Sequence, residues 1–349
     1  MSTLYLRALA ISPPLVLAPM AGITNLPFRL LCKRQGAGLV CSEMVSATAL
    51  GYGSRRTLAL LAASPEERPL SVQLFGGDPD TMARGAALIC EHGSADLLDI
   101  NMGCTVPKVV KGGGGAALLA DPERAQALVR AVVKASSVPV TVKLRARWRQ
   151  GFPDAVELGR RCEQAGAAAL VLHPRTASGK FTPPLEWELV ARLAAAVSVP
   201  VIANGGIQDG VAAARVMADT GAQAVMVGRG ALGNPWVFAR MAAEMAGRCY
   251  QPPGRPQRLA LAIEHGDMLR ELKGERITAC EMRKHAGWYV RGFPDAVALR
   301  EAVTWARTWR ELREILAAAT APPPGSGRRQ PEMESRPSIP PKAGPRCAR

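Results

Sequence analysis

The chain has 349 residues, 48% of them hydrophobic, eight cysteines and a formal net charge of +15 at pH 7. Such a length predicts one large domain with a smaller companion, and no stretch approaches the ~18 consecutive apolar residues of a membrane-spanning helix. The cysteines form no CxxC pair, which argues against a zinc site or a disulfide framework; the basic excess, spread along the chain, points to a polyanionic partner or an anionic substrate unless it only reflects arginine-rich codon usage.

From the N-terminus, Met1 to Arg7 lack the basic segment and cleavage site of a secretory signal, so a cytoplasmic location is expected. Short apolar, β-branched runs then recur at 15–20, 39–44, 70–75, 97–102, 138–144, 169–173, 199–204 and 224–228, beginning 24 to 41 residues apart. Such runs fit strands buried on both faces of a parallel sheet. Each interval has room for one helix, which makes βα units. Eight units predict an α/β fold, a (β/α)8 barrel over residues 1–248, in preference to a doubly wound open sheet. Cys249-Tyr250-Gln251-Pro252-Pro253-Gly254 reads as a linker. Residues 255–320 predict a bundle of three or four helices, with Leu259, Ile263 and Leu272 on one apolar stripe and Ile277, Cys280 and Trp288 on another. Residues 321–349 are dominated by Pro, Gly, Ser and Arg and are expected to be a disordered tail.

Barrels of this type carry their chemistry at the C-terminal ends of the strands. Those ends hold Pro19-Met20-Ala21-Gly22, Glu43, Gln73, Asn101 to Cys104, Lys143 with Arg145, His173, Asn204-Gly205-Gly206 and Gly228-Arg229. One polar strand end is commonly packing or a turn; so many on one rim argue for a site. The loops after the seventh and eighth strands are the usual phosphate cradle. Here Gly205, Gly206 and Gly228 let backbone N–H groups come close to a phosphate, and Arg229 adds charge. Gly228 to Gly233 also matches G-x-G-x-x-G, but a helical pattern and a proline linker follow where a dinucleotide fold needs a second strand.

Lys143 ends an otherwise apolar strand, where a lysine is costly without an anion or a hydrogen-bond partner. Gln73 ends another and offers both donor and acceptor. A flavin ring needs such groups where negative charge builds on reduction. His173 sits at the equivalent place. Cys104 lies just past the fourth strand, and the run Gly112 to Gly115 predicts a mobile lid carrying Cys104, Lys108 and Lys111. No G-x-S-x-G, Walker or H-E-x-x-H motif occurs and the histidines lack metal-ligand spacing, so no metal is expected.

At these residues the chain resembles the tRNA-dihydrouridine synthases, from about Leu15 to Leu316. The resemblance is carried by Ala18-Pro19-Met20-Ala21-Gly22-Ile23-Thr24, Ser42-Glu43-Met44, Gln73-Leu74-Phe75-Gly76 and above all Asp99-Ile100-Asn101-Met102-Gly103-Cys104. Lys143-Leu144-Arg145, His173-Pro174-Arg175-Thr176, Asn204-Gly205-Gly206-Ile207 and Gly228-Arg229 continue it. Met282-Arg283-Lys284-His285 looks most like the bacterial B-type subgroup. The resemblance implies FMN held by Pro19, Met20, Ala21, Gln73, Lys143, His173, Asn204, Gly205, Gly206, Gly228 and Arg229, with NADPH (or NADH) as reductant. It implies hydride transfer to uracil C6 of a D-loop uridine while Cys104, as general acid, protonates C5. Asn101 and Arg145 would position the uracil, and Arg283, Lys284 and His285 of the helical domain would contact tRNA.

Thiols titrate at about 8.5 in water, so one is mostly protonated at neutral pH and suits that role. A uridine inside folded RNA must be flipped out to reach a barrel rim. The chain departs from the family pattern at Thr105, where proline is usual, and at Gly206, where many members have an acid. Two alternatives stand beside this reading. An FMN barrel that dehydrogenates a small pyrimidine of the dihydroorotate type would not need Arg283-Lys284-His285. A non-catalytic RNA-binding flavoprotein would not need Cys104 and Lys143.

Overall fold

A computed structural model describes residues 3–178 and 184–320 of the chain. The expected tail at 321–349 lies outside the described residues. The chain divides into two compact units, Met1–Ala246 and Gly247–Arg349.

The first unit opens with a hairpin, β1 (Leu4–Leu6) and β2 (Leu9–Ile11). Eight strands follow: β3 (Leu15–Leu17), β4 (Leu39–Ser46), β5 (Leu70–Phe75), β6 (Leu97–Met102), β7 (Val140–Arg145), β8 (Ala169–His173), β9 (Val201–Asn204) and β10 (Ala224–Val227). All pair in parallel in chain order, and β10 returns to β3 to close a barrel. This is the architecture expected from the eight apolar runs. Around it lie α1 (Leu26–Arg34), α2 (Ala47–Gly51), α3 (Arg55–Leu58), α4 (Pro79–His92), α5 (Pro107–Lys111) and α6 (Pro122–Ala135). The outer ring continues with α7 (Ala155–Gln164), α8 (Trp187–Ala196), α9 (Gly210–Thr220) and α10 (Val237–Met245).

Local chemistry sets the boundaries. Asn25, Asp78, Asp121, Asp154 and Asp209 each accept a backbone N–H in the first turn of α1, α4, α6, α7 and α9. β7 and β9 begin two residues later than their apolar runs, after Pro139 and Pro200, which have no N–H for the ladder. β3 stops before Pro19-Met20 because the chain turns there, the Met20 carbonyl accepting from the N–H groups of Ile23 and Thr24.

Side chains alternate along each strand between the helix side and the barrel side. The barrel-side set passes from apolar to polar toward the strands' C-terminal ends: Leu97, Asp99, Asn101 on β6; Ala169, Val171, His173 on β8; Ile202, Asn204 on β9. The apolar members pack with Leu4, Leu6 and Ile11 of the hairpin, which plugs the N-terminal end of the barrel. One end is therefore apolar while the other gathers polar groups.

The second unit holds α11 (Arg255–Lys273), α12 (Glu275–Tyr289), α13 (Ala296–Trp305) and α14 (Trp309–Ala318). The expected stripes are out of phase with the buried faces. Leu272, Ile277 and Cys280 are exposed, whereas Leu259, Ala262, His265, Gly266 and Leu269 of α11 face Thr278, Ala279, Met282, His285, Ala286 and Tyr289 of α12 across the core. Polar residues inside the buried stripe obscured its period. His265 and His285 stack edge-on with ring centroids 4.5 Å apart, and Tyr289 Oη lies 3.3 Å from His265 Nδ1. Among the described residues no helix is long and apolar enough to cross a membrane, and no cluster of His, Cys, Asp or Glu is arranged to hold a metal.

Candidate active site at the C-terminal rim of the barrel

The rim is built in two polar layers. In the lower, strand register sets Gln73, Asp99 and Thr141 side by side on β5, β6 and β7. Asp99 accepts from Gln73 Nε2 at 2.7 Å and from Thr141 Oγ1 at 2.6 Å. Burial pushes its carboxyl up to about 6, against the pull of those two donors and of Lys143.

In the upper layer Lys143 Nζ donates to Asn204 Oδ1 at 2.9 Å, and Asn204 Nδ2 donates to the Met226 carbonyl at 2.8 Å. Burial pulls the Lys143 ammonium down to about 8, with Asp99 holding it up and Arg145 opposing. His173 is pushed down to about 3 by burial and by the positive field of Lys143, Arg145, Arg175 and Arg229. It stays neutral at any physiological pH, chiefly because it is buried. A Cβ on Gly205, whose φ is 130°, would come within 2.8 Å of the His173 ring, so the loop after β9 needs glycine there.

The loop after β3 is pinned from below. Glu43 accepts the Gly22 N–H. The buried pair Arg29–Glu67, at 2.6 Å, lies beneath, with Arg29 Nη1 donating to the Thr24 carbonyl at 2.8 Å. This fixes the Pro19-Met20-Ala21 segment, with Ala21 exposed and Pro19 and Met20 half-buried at the rim.

Cys104, half-buried, follows β6. Its N–H donates to Asn101 Oδ1 at 2.9 Å, and its carbonyl accepts from Ala116 at 2.9 Å. Arg145 Nε donates to the Gly103 carbonyl at 2.9 Å and has the Cys104 sulfur within its electrostatic reach. The glycine run of the expected lid packs closely against its neighbours. A Cβ on Gly77 would meet the Gly112 carbonyl oxygen at 2.4 Å, and one on Gly115 the Cys104 carbonyl oxygen at 2.6 Å. Arg124 Nε donates to the Gly77 carbonyl at 2.6 Å and its guanidinium packs over Gly113. At Gly77, Gly114 and Gly115 glycine serves close approach of backbone to backbone.

The structure therefore brings Gln73, Asn101, Cys104, Lys143, Arg145, His173, Asn204, Gly205, Gly206, Gly228 and Arg229 to one end of the barrel. In the second unit His285 is corrected: it is fully buried against His265 and has no surface to offer RNA. Arg283 is half-buried and donates through Nε and Nη2 to the Ala306 carbonyl, at 2.9 and 2.6 Å. Lys284 is exposed. Sequence reasoning assigned no role to Asp99, Thr141, Glu43 or the Arg29–Glu67 pair. Two signals for Asp99 were visible, an acid in the middle of an apolar strand and its place at the head of the Asp99 to Cys104 motif.

The family model described as dihydrouridine synthase matches residues 16–321. A tRNA-dihydrouridine synthase B of Xanthomonas campestris pv. campestris is 38% identical over 321 residues, 90% of this chain and 96% of that protein. A probable tRNA-dihydrouridine synthase of Rhodobacter capsulatus is 42% identical over 292 residues, 82% of this chain and 89% of that protein. A tRNA-dihydrouridine synthase B of Pseudomonas aeruginosa is 40% identical over 287 residues, with 82% and 86% covered.

Proposed function

Because the chain belongs to the dihydrouridine synthase family, we propose that it reduces the C5–C6 double bond of uridine in tRNA, with FMN as cofactor and NADPH as reductant. The observation that carries this is the convergence of Cys104, Asn101 and Lys143 on one cationic rim.

The rim's donor set fits a phosphorylated flavin. Gly205 and Gly206 have φ of 130° and 66°, conformations that keep side chains out of the loop after β9. Arg229 opens the turn after β10 and supplies charge for a phosphate. Lys143, Gln73, Asn204, His173, Pro19, Met20, Ala21 and Gly228 would hold the rest of the flavin. The chemistry FMN would supply here, when bound and reduced, is hydride for C6 of the uracil.

The chain's own residues do the rest. Asn101 and Arg145 orient the base at the mouth, where a flipped-out uridine enters. The Cys104 thiol gives its proton to C5, so that C6 gains hydride and C5 a proton across the broken π bond. The sulfur is left as thiolate beside Arg145 and recovers a proton from solvent. The helical unit, residues 255–320, would grip the surrounding RNA through exposed cations such as Lys284.

Purified protein should carry FMN and should convert uridine in unmodified tRNA to a nucleoside two hydrogens heavier, read by mass spectrometry. Cys104→Ala should keep FMN and its reduction by NADPH but lose uridine reduction by about 10²–10⁴-fold. Turnover of dihydroorotate or free uracil with no activity on tRNA would overturn the reading.

A further inference from the structure

Asp99 is a buried ionisable side chain of the rim's lower layer, 2% exposed, and takes no part in the chemistry above. An ionised carboxylate only accepts hydrogen bonds. Both neighbours must therefore donate to it, and Gln73 can do so only through Nε2, at 2.7 Å. That choice leaves Gln73 Oε1 facing the layer above, where only a donor fits. Asn101 Nδ2 fills the place at 2.8 Å and also reaches Met44 Sδ at 3.0 Å. Asn101 Oδ1 is thereby turned to the loop, where it accepts the N–H groups of Gly103 at 3.1 Å and Cys104 at 2.9 Å. Flipping either amide would set oxygen against oxygen or N–H against N–H. Asp99 and Asn101 stand two residues apart on one strand, so the relay climbs a single face of β6.

We propose that Asp99 is a positioning residue for Cys104: the acceptor oxygen it presents to Gln73 sets the polarity of the Gln73–Asn101 amide relay, which holds the Cys104 backbone in register with the substrate. This rests on the proton-donor role given to Cys104 above. The relay explains why a barrel interior tolerates a carboxylate at this depth. Its negative end is satisfied by two donors, and its effect is delivered two layers away.

Two substitutions separate acceptor from charge. Asp99→Asn removes the charge toward Lys143 but keeps one oxygen for Gln73 Nε2, its amide donating to Thr141 Oγ1. Asp99→Ala removes both. Thr141→Val takes a hydrogen bond from the same carboxylate while leaving the relay whole, and so controls for general loosening. The first readout is alkylation of Cys104 by iodoacetamide, located by peptide mass, with exposed Cys280 as internal reference.

Asp99→Ala should alkylate Cys104 about fivefold faster or more, a modest fraction of what a lost charge-assisted hydrogen bond can cost. Asp99→Asn and Thr141→Val should stay within about twofold of wild type. Uridine reduction should fall about 10- to 100-fold in Asp99→Ala. Combined with Cys104→Ala it should cost nothing more, because both changes remove one function.

A wild-type alkylation rate in Asp99→Ala would overturn the proposal. So would Asp99→Asn as impaired as Asp99→Ala, since charge and not the acceptor would then matter, and so would Thr141→Val loosening Cys104 equally. Alkylation reads the relay whether or not Cys104 proves to be the acid, so the two assignments fail separately.

Discussion

Lowering the pH from about 8 to about 5 should destabilise the helical unit through its two buried histidines. Burial holds the His265 imidazole down to about 3, against an ordinary value of 6.5. His285 is held well below that value by burial first, then by His265, Lys284 and Lys273. The unfolded chain therefore takes up these protons first. Their contribution to stability is complete above pH 6.5 and is lost as pH falls through the window toward about 3. At pH 5, about 1.5 pH units below the ordinary value, withholding one proton costs the folded state about 2 kcal/mol. His285, held down in the same direction, adds to this loss, against the ~5–15 kcal/mol that stabilises a typical domain. Hydrogen–deuterium exchange of peptides from α11 and α12 in the full chain, corrected for the intrinsic pH dependence, reads this locally. His265→Gln should remove up to about 1.4 kcal/mol per pH unit from the slope, and His285→Leu should flatten it in the same direction, whatever they do to stability at pH 8. A slope that is flat between pH 7 and 5 in the wild type, or unchanged in both variants, would refute the argument.

Three more outcomes follow from particular contacts. Glu67→Ala leaves the Arg29 guanidinium buried beneath the β3 loop without its carboxylate, and chemical denaturation should show a loss of about 3–5 kcal/mol; a loss under about 1 kcal/mol would contradict the role given to the pair. Gly266→Ala would set a Cβ 2.0 Å from Trp309 Cη2, so α11 and α14 must part; the expected cost is about 1–3 kcal/mol, and a melting temperature equal to wild type would count against this packing. Arg229→Ala should lower the flavin absorbance that survives gel filtration, and full retention would remove Arg229 from the phosphate cradle.

Much of the barrel was legible in the sequence because parallel strands sealed on both faces must be continuous apolar runs. Eight of them separated by helix-length intervals admit few other closures. Most of the rim was legible for a related reason. A lysine, a glutamine or a histidine ending such a run stands where the apolar interior stops. The N-terminal hairpin was not, since strands of three residues turning at Arg7 are too short to show a period.

What the tertiary structure alone decided depends on partners distant in sequence. Only strand register reveals that Asp99 lies between Gln73 and Thr141, because side chains 26 and 42 residues away complete its hydrogen bonds. Only packing reveals that Gly112 to Gly115 is a seam against Gly76, Gly77 and the Cys104 backbone, since glycine has the same letter whether it supplies freedom or close approach. In the helical unit, periodicity treats histidine as a surface residue. The core there closes around His265 and His285, so the buried stripe runs through residues that hydropathy assigns to water, and Arg283, Lys284 and His285 part ways. Composition and pattern record what each residue prefers alone, whereas burial and register are set by what the rest of the chain places beside it.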